Sequence, residues 1–277
     1  MRGSGRTLSL NLAGVRFEID PINRERMALR IAGYEDTPKN VGSMPGSIGG
    51  AQSGATDAPA ISVRITPDEI RAEKEYIIDY WRQREVRFPD DDESYFEFTA
   101  LQKKVLPALI DHRILYLHGS AICVNRQGYL FTAPSGTGKS THVRLWRERF
   151  GDEVITINDD KPLIRVENDE IYLCGSPWNG KHGIGCQMEV PLRAIVKLRR
   201  GNSNRIEPLS TAEAFRELYL ETYHFEEKEK MQAVMAMLGQ IIERIPCYSL
   251  HCNMESDAAE TARAGIETKY LLTGAGK

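Results

Sequence analysis

Ala133-Pro134-Ser135-Gly136-Thr137-Gly138-Lys139-Ser140 lies between a short apolar run, 129–132, and a stretch of helical character, 141–150. The spacing is that of a phosphate-binding loop: one small residue, four residues, then Gly-Lys-Ser, here with alanine in place of the first glycine. Gly136 and Gly138 permit backbone turns that aim N–H groups inward at phosphate oxygens. A helix starting at the end of the loop adds the positive end of its dipole. Lys139 supplies a mobile charge for the terminal phosphates, and the Ser140 hydroxyl suits Mg²⁺. Pro134, Ser135, Gly136, Thr137, Gly138, Lys139, Ser140 and Thr141 are therefore the candidate nucleotide-binding residues, with ATP and Mg²⁺ as the expected cofactors. A chance glycine-rich turn before Lys-Ser is the weaker reading, because a strand enters and a helix leaves. Lys139→Ala should remove most ATP affinity or turnover, and Lys197→Ala should not.

Asn158-Asp159-Asp160 ends the next apolar strand, 154–158. Two adjacent carboxylates at a strand end suit two tasks, holding Mg²⁺ and accepting a proton from an attacking hydroxyl. Side chains alternate along a strand, so both face one site only if the chain turns there. Pro162 fits such a turn. A solvated acidic turn is the bland alternative. A lone histidine such as His118 is more often structural than catalytic.

Leu117-His118-Gly119-Ser120-Ala121, a hairpin into Ala133-Pro134-Ser135-Gly136-Thr137-Gly138-Lys139-Ser140, and Asp159-Asp160 together resemble the catalytic domain of HPr kinase/phosphorylase, which is related to phosphoenolpyruvate carboxykinase. Gly183-Ile184-Gly185-Cys186-Gln187-Met188-Glu189-Val190 looks like the glycine-containing signature stretch of those kinases. The resemblance covers about residues 113–200 and leaves the N-terminal third unmatched. It implies that Lys139 binds phosphate, that Ser140, Asp159 and Asp160 are the candidate metal ligands, and that Asp159 and Asp160 divide metal and base duty in an order left open. His118 would lie near the reacting phosphoryl group. The candidate catalytic residues are thus His118, Lys139, Asp159 and Asp160. The family has an arginine just before the Gly-x-Gly stretch, where this chain has Lys181 and His182. Neither has the planar fork of arginine, which weighs against phosphorolysis and against the usual protein substrate. The chain looks closer to divergent peptide kinases, such as those of lasso-peptide clusters, than to the housekeeping enzyme. Gly175-Ser176-Pro177-Trp178-Asn179-Gly180-Lys181-His182 is a polar loop with one large aromatic. Trp178, Lys181 and His182 are its candidate substrate residues.

The expected fold is α/β. Residues 113–277 would form a P-loop core of mixed strands with flanking helices, similar to HPr kinase and phosphoenolpyruvate carboxykinase. Residues 1–112 would form a small N-terminal α/β region. Strand-like runs are read at 15–19, 28–32 and 61–65, and helices at 67–81 and 95–111. In the first helix Tyr76, Ile77, Tyr80 and Trp81 form a stripe that reads as core. In the second, Phe98, Leu101, Leu106 and Ile110 are core candidates. Residues 36–60, rich in Gly, Ser, Pro and Ala, read as a flexible excursion too poor in large apolar groups to offset ordering. Asp90-Asp91-Asp92-Glu93 reads as a solvated turn. Beyond residue 113, apolar runs are read at 114–124 and 129–132, strands at 154–158, 163–166, 171–174, 192–198 and 247–252, and helices at 141–150, from Ser210 to Tyr219, 227–244 and 257–271.

The chain has 277 residues, 41% hydrophobic and 27% charged, with a formal net charge of −3. These are ordinary values for a globular protein and carry no global basic excess that would invite nucleic acid. No apolar run is long enough for a membrane span, and the first residues lack the apolar region of a secretory signal. Five cysteines, none in Cys-x-x-Cys spacing, read as reduced thiols of a cytoplasmic protein. The function expected is a kinase that transfers the γ-phosphoryl group of ATP to a hydroxyl, foremost a serine of a protein or peptide partner. A kinase of a small hydroxylated metabolite and a non-catalytic ATP-binding switch are the alternatives. A homo-oligomer stays open.

Overall fold

The computed structural model describes residues 7–35, 58–83, 93–180 and 183–274. Residues 36–57 and 90–92, which hold most of the glycine-rich stretch and of the acidic run, lie outside these, as do Lys181 and His182. The chain divides into two compact units, Met1–His112 and Arg113–Lys277.

In the first unit, β1 (Leu8–Leu12) and β2 (Val15–Asp20) form an antiparallel hairpin, and β3 (Ile61–Arg64) pairs parallel with β2. The helices are α1 (Arg24–Arg30), α2 (Pro67–Arg82) and α3 (Glu93–Asp111). The strand expected at 28–32 is instead the end of α1. Asn23 caps that helix through its side chain, which accepts from the Arg26 N–H. Met27 and Ile31, four residues apart, are both buried, which is helical spacing. Helix α2 starts in a capping box, Thr66 with Glu69. Its buried residues are Ile70, Glu73 and Ile77, so Ile77 is the one member of the expected stripe that is buried. Tyr76 and Tyr80 lie on the outer side, 58% and 37% exposed, with ring centroids 6.5 Å apart. Phe98, Leu101, Leu106 and Ile110 of α3 are all buried, as their spacing implies.

The second unit is built on one long strand. β4 (Ile114–Tyr116), β5 (Ser120–Val124), β6 (Gln127–Thr132), β7 (Val154–Asn158), β8 (Leu163–Val166), β9 (Ile171–Cys174), β10 (Glu189–Arg200), β11 (Arg205–Pro208) and β12 (Cys247–Cys252) form a curled mixed sheet. The first residues of β10 pair antiparallel with β9, and β8 and β4 follow outward. The rest of β10 pairs parallel with β6 on one side and β12 on the other. The change of partner falls between Pro191 and Leu192, and a register irregularity between Leu192 and Ala194 follows it. The helices are α4 (Lys139–Phe150), α5 (Thr211–Leu220), α6 (Lys228–Arg244) and α7 (Asp257–Gly274). Phe131, Val196 and Leu250 of the sheet pack against Val143 and Trp146 of α4 and Ala258, Ala262 and Ile266 of α7. Ile195 and Lys197 alternate with those inward positions and so face the other side, against Ala214 and Leu218 of α5.

The apolar run at 114–124 is two strands, not one. β4 pairs with β8, whereas β5 pairs with β6 and β7. The break falls at His118-Gly119. A Cβ on Gly119 would come within 2.8 Å of both Leu130 Cδ1 and the Phe131 carbonyl oxygen. Only glycine allows this close approach. The β5–β6 turn uses Asn125 and Arg126 at φ 49° and 64°, the left-handed pair of a two-residue hairpin. The short β11, which pairs with β12, had no periodic signal in four polar-rich residues. All five cysteines are free thiols. Among the described residues no helix is long and apolar enough to cross a membrane.

Candidate active site

β7 delivers the acidic pair. At its end Asn158 Oδ1 accepts from the N–H groups of Asp160 at 2.8 Å and Lys161 at 2.6 Å. Such an Asx turn bends the chain at once. Asn158 Nδ2 donates to the Ser176 carbonyl at 2.9 Å, which fixes the amide. The turn is what lets Asp159 and Asp160 leave strand alternation. Gly180 lies behind them: a Cβ there would sit 3.4 Å from Asp160 Cβ and 3.9 Å from Asp159 Oδ2.

The two carboxylates have different surroundings. Asp159 is 7% exposed, and the Ser120 hydroxyl donates to its Oδ1 at 3.1 Å. Asp160 is more open, with its side chain 28% exposed, Oδ1 3.4 Å from His118 Nε2 and Oδ2 3.6 Å from Lys161 Nζ. Burial would raise the Asp160 pKa, but the hydrogen bond from His118 and the charge of Lys161 outweigh it and hold the carboxyl below its usual range.

His118 is gripped at both ends of the β4–β5 break. Its N–H donates to the Glu221 carbonyl at 2.8 Å, and the next N–H, of Gly119, donates to the Asp160 carbonyl at 2.9 Å. Its ring places Nε2 toward Asp160 and Nδ1 3.1 Å from Glu221 Oε2. Burial disfavours the imidazolium, yet the two carboxylates prevail and raise the pKa above 6.5.

The loop between β6 and α4 brings the fourth group. Gly136 and Gly138 take φ of 77° and 121°, where a side chain would be strained. Gly138 caps α4 without a side-chain hydrogen bond. The amides of Lys139, Ser140 and Thr141, in the first turn, have no intrahelical acceptor and point to whatever lies before the helix. Lys139 is buried, and Nζ donates to the Ala133 carbonyl of its own loop at 2.8 Å. Burial lowers its pKa, against the nearby charges of Glu221, Asp160 and Asp159. Ser140 is exposed on the first turn of α4, and no hydrogen bond joins it to either aspartate. Trp178 is 3% exposed and anchors its loop from within, so it offers no open face to a substrate.

Several site residues carried no sequence signal. Arg200, at the end of β10, donates to the Gly136 carbonyl at 2.7 Å. Lys197 is 5% exposed, with Nζ 2.8 Å from Glu221 Oε1 and 3.2 Å from Glu217 Oε2. It is therefore no neutral control for Lys139, contrary to the expectation above, because removing it takes a buried cation from two buried carboxylates. A single charge inside the apolar run Ala194-Ile195-Val196-Lys197-Leu198 was the available clue. Glu221, just past the end of α5, had none.

The residues fit a nucleotide phosphate and Mg²⁺. Turned glycines, unpartnered first-turn amides and a buried lysine bonded only within its own loop make an anion cradle. Among the described residues no three His, Cys, Asp or Glu side chains form a metal cage. Mg²⁺ in phosphoryl-transfer sites needs only one or two carboxylates with substrate oxygens and water.

No family model matches the chain, and no curated protein matches it. Among solved structures, the Hpr(Ser) kinase/phosphatase from Coxiella burnetii covers 58% of this chain and 98% of its own, at 10% identity and a TM-score of 0.35. The likeness is distant.

Proposed function

We propose that the protein is an ATP-dependent kinase that transfers a γ-phosphoryl group to a hydroxyl, with a serine of a peptide or protein as the acceptor. One observation carries this reading. His118, Lys139 and Asp159-Asp160 come from three separate segments and meet at one place: His118 Nε2 lies 3.4 Å from Asp160 Oδ1, the Gly119 N–H holds the Asp160 carbonyl, Ser120 holds Asp159, and the charge of Lys139 acts on both His118 and Asp160. A simple phosphate binder needs the loop and the lysine. It has no use for a carboxylate pair and an imidazole at the same point.

Phosphoryl transfer depends on positioning and charge neutralisation more than on covalent chemistry. The loop amides and Lys139 would hold the β- and γ-phosphates. Mg²⁺, held by Ser140 and Asp159, would neutralise charge developing on the phosphate oxygens. The acceptor oxygen bonds to the γ-phosphorus as the bond to the β-bridging oxygen breaks. Its proton passes to Asp160, the more open carboxylate, and ADP leaves. His118, set against Asp160, would fix that carboxylate's direction. Lys181 and His182, next in sequence after Gly180, are candidates for acceptor contacts.

The test is incubation with γ-labelled ATP and Mg²⁺ against serine peptides and, in parallel, small alcohols. Label on a serine peptide supports the proposal. Label on a small alcohol alone points to a metabolite kinase. Label on neither, with intact MgATP binding, points to a nucleotide-dependent switch.

A further inference from the structure

A line of alternating charges runs from the candidate site into the protein. After Asp160 and His118 come Glu221, Lys197, Glu217 and Arg199, each within ion-pair distance of the next: 3.1 Å from His118 Nδ1 to Glu221, 2.8 Å from Glu221 to Lys197, 3.2 Å from Lys197 to Glu217 and 2.9 Å from Glu217 to Arg199. We propose that Glu221 is the positioning residue for His118, and that Lys197 fixes Glu221 in turn, so that the imidazole is held facing Asp160 before any substrate arrives. The inference rests on the kinase reading for its consequence, but its geometry stands apart from it.

Three features support the assignment. Glu221 holds His118 twice, by its carbonyl on the His118 N–H and by its carboxylate on the ring. A carboxylate can only accept, so the proton on that edge of the ring sits on Nδ1, and ring rotation is blocked. Next, Glu221 breaks a local rule. It follows the C-terminus of α5, where the dipole disfavours a negative charge, and it is 8% exposed. Lys197 breaks another. It is a buried cation in the middle strand of a parallel set, level with Thr132 of β6 and Ser249 of β12. A buried ion pair rarely stabilises a fold more than apolar residues of the same shape would. Departures from local rules that meet at one group point to function. Finally, Thr132 is the last residue of β6, directly before the loop, so Lys197 ties the charge line to the strand that delivers Lys139.

The experiment uses the full chain labelled with ¹⁵N-histidine at one fixed pH. The hydrogen-bonded Nδ1–H resonance of His118, assigned by its loss in His118→Gln, is expected in the wild type and absent from Glu221→Gln. Glu221→Gln should keep MgATP affinity within about twofold while slowing phosphoryl transfer by about tenfold or more. Introduced into His118→Gln, it should slow transfer no further, because it acts through the ring. If Glu221→Gln does not fold, Glu221→Asp keeps the charge beside Lys197 and withdraws it from the ring, with the same readings. A wild type without the resonance overturns the proposal. So does a folded Glu221 variant that keeps it, or one that slows transfer equally in the His118→Gln background. If no acceptor is ever phosphorylated, the kinase reading fails, and the resonance still decides whether Glu221 positions His118.

Discussion

At the scale of single residues, each side chain of the site should take a different property with it when it is lost. Among the described residues the Lys139 side chain hydrogen-bonds only to its own loop, so Lys139→Ala should leave the fold intact and remove most MgATP binding in calorimetry. The control belongs on an exposed lysine such as Lys228. Lys197→Ala should instead destabilise by about 3–5 kcal/mol, the usual cost of breaking a buried ion pair. Denaturant midpoints would show it, and a wild-type midpoint would contradict the buried placement. The two aspartates should differ. Asp160→Asn should lower transfer by about 10²–10⁴-fold with MgATP affinity retained, as expected for loss of a proton acceptor. On the proposed roles, Asp159→Asn should damage affinity and transfer together, because an amide is a weaker Mg²⁺ ligand than a carboxylate, while its Oδ1 can still accept from Ser120. His118→Ala should resemble Asp160→Asn with a smaller defect. The reverse pattern in the two aspartate variants would exchange their roles.

At the scale of elements, the β4–β5 break and helix α5 place the site. Gly119→Ala would force a Cβ to 2.8 Å from Leu130 Cδ1 and the Phe131 carbonyl. Overpacking of this kind costs about 1–3 kcal/mol, and the shift should reach His118 next door. A melting temperature unchanged by Gly119→Ala would show that the break tolerates a side chain. Ser210 and Glu213 form the capping box of α5, the helix that carries Glu221 just past its end. Ser210→Ala should cost about 1 kcal/mol. Most of these elements were legible in the sequence where a local device announced them. The hairpin at Asn125-Arg126, the strand ending at Asn158 and the Ser210 capping box all follow from spacing and turn chemistry. The errors came where a pattern fits two periods. Residues 28–32 have the apolar character of a strand, and the Asn23 cap with Met27 and Ile31 shows the helix. In α2, aromatic size suggested burial, but Ile70, Glu73 and Ile77 hold the inner face. Contacts between Glu221, Lys197 and His118 join residues up to 103 positions apart, and no single-sequence pattern encodes them.

At the scale of the whole molecule, the core beneath the loop between β6 and α4 includes a group that makes it sensitive to acid. His142 on α4 is 2% exposed. Its Nε2 accepts from Trp146 Nε1 at 3.0 Å, and its Nδ1 meets no hydrogen-bond partner among the described residues. Burial depresses its pKa to about 3. Below pH 6.5 the unfolded chain takes up a proton that the folded chain refuses, so stability falls as pH drops from 6.5 toward about 3. The slope from one such group approaches about 1.4 kcal/mol per pH unit. Burial raises the pKa values of Glu217 and Glu221, but Lys197 at Glu217, and His118 then Lys197 at Glu221, outweigh it and lower them, which adds a second loss below 4.5. His142→Phe should flatten the first part of this decline in melting curves and leave the second. An unchanged slope would place the sensitivity elsewhere. The central claim concerns what the assembled site does with a nucleotide. Its most direct test is phosphoryl transfer from γ-labelled ATP with Mg²⁺ to a serine peptide, measured side by side for the wild type and Asp160→Asn at saturating nucleotide. The account predicts label on the serine with the wild type and almost none with the variant, although both bind MgATP equally. Equal labelling by both proteins, or no transfer by the wild type to any hydroxyl, would contradict it.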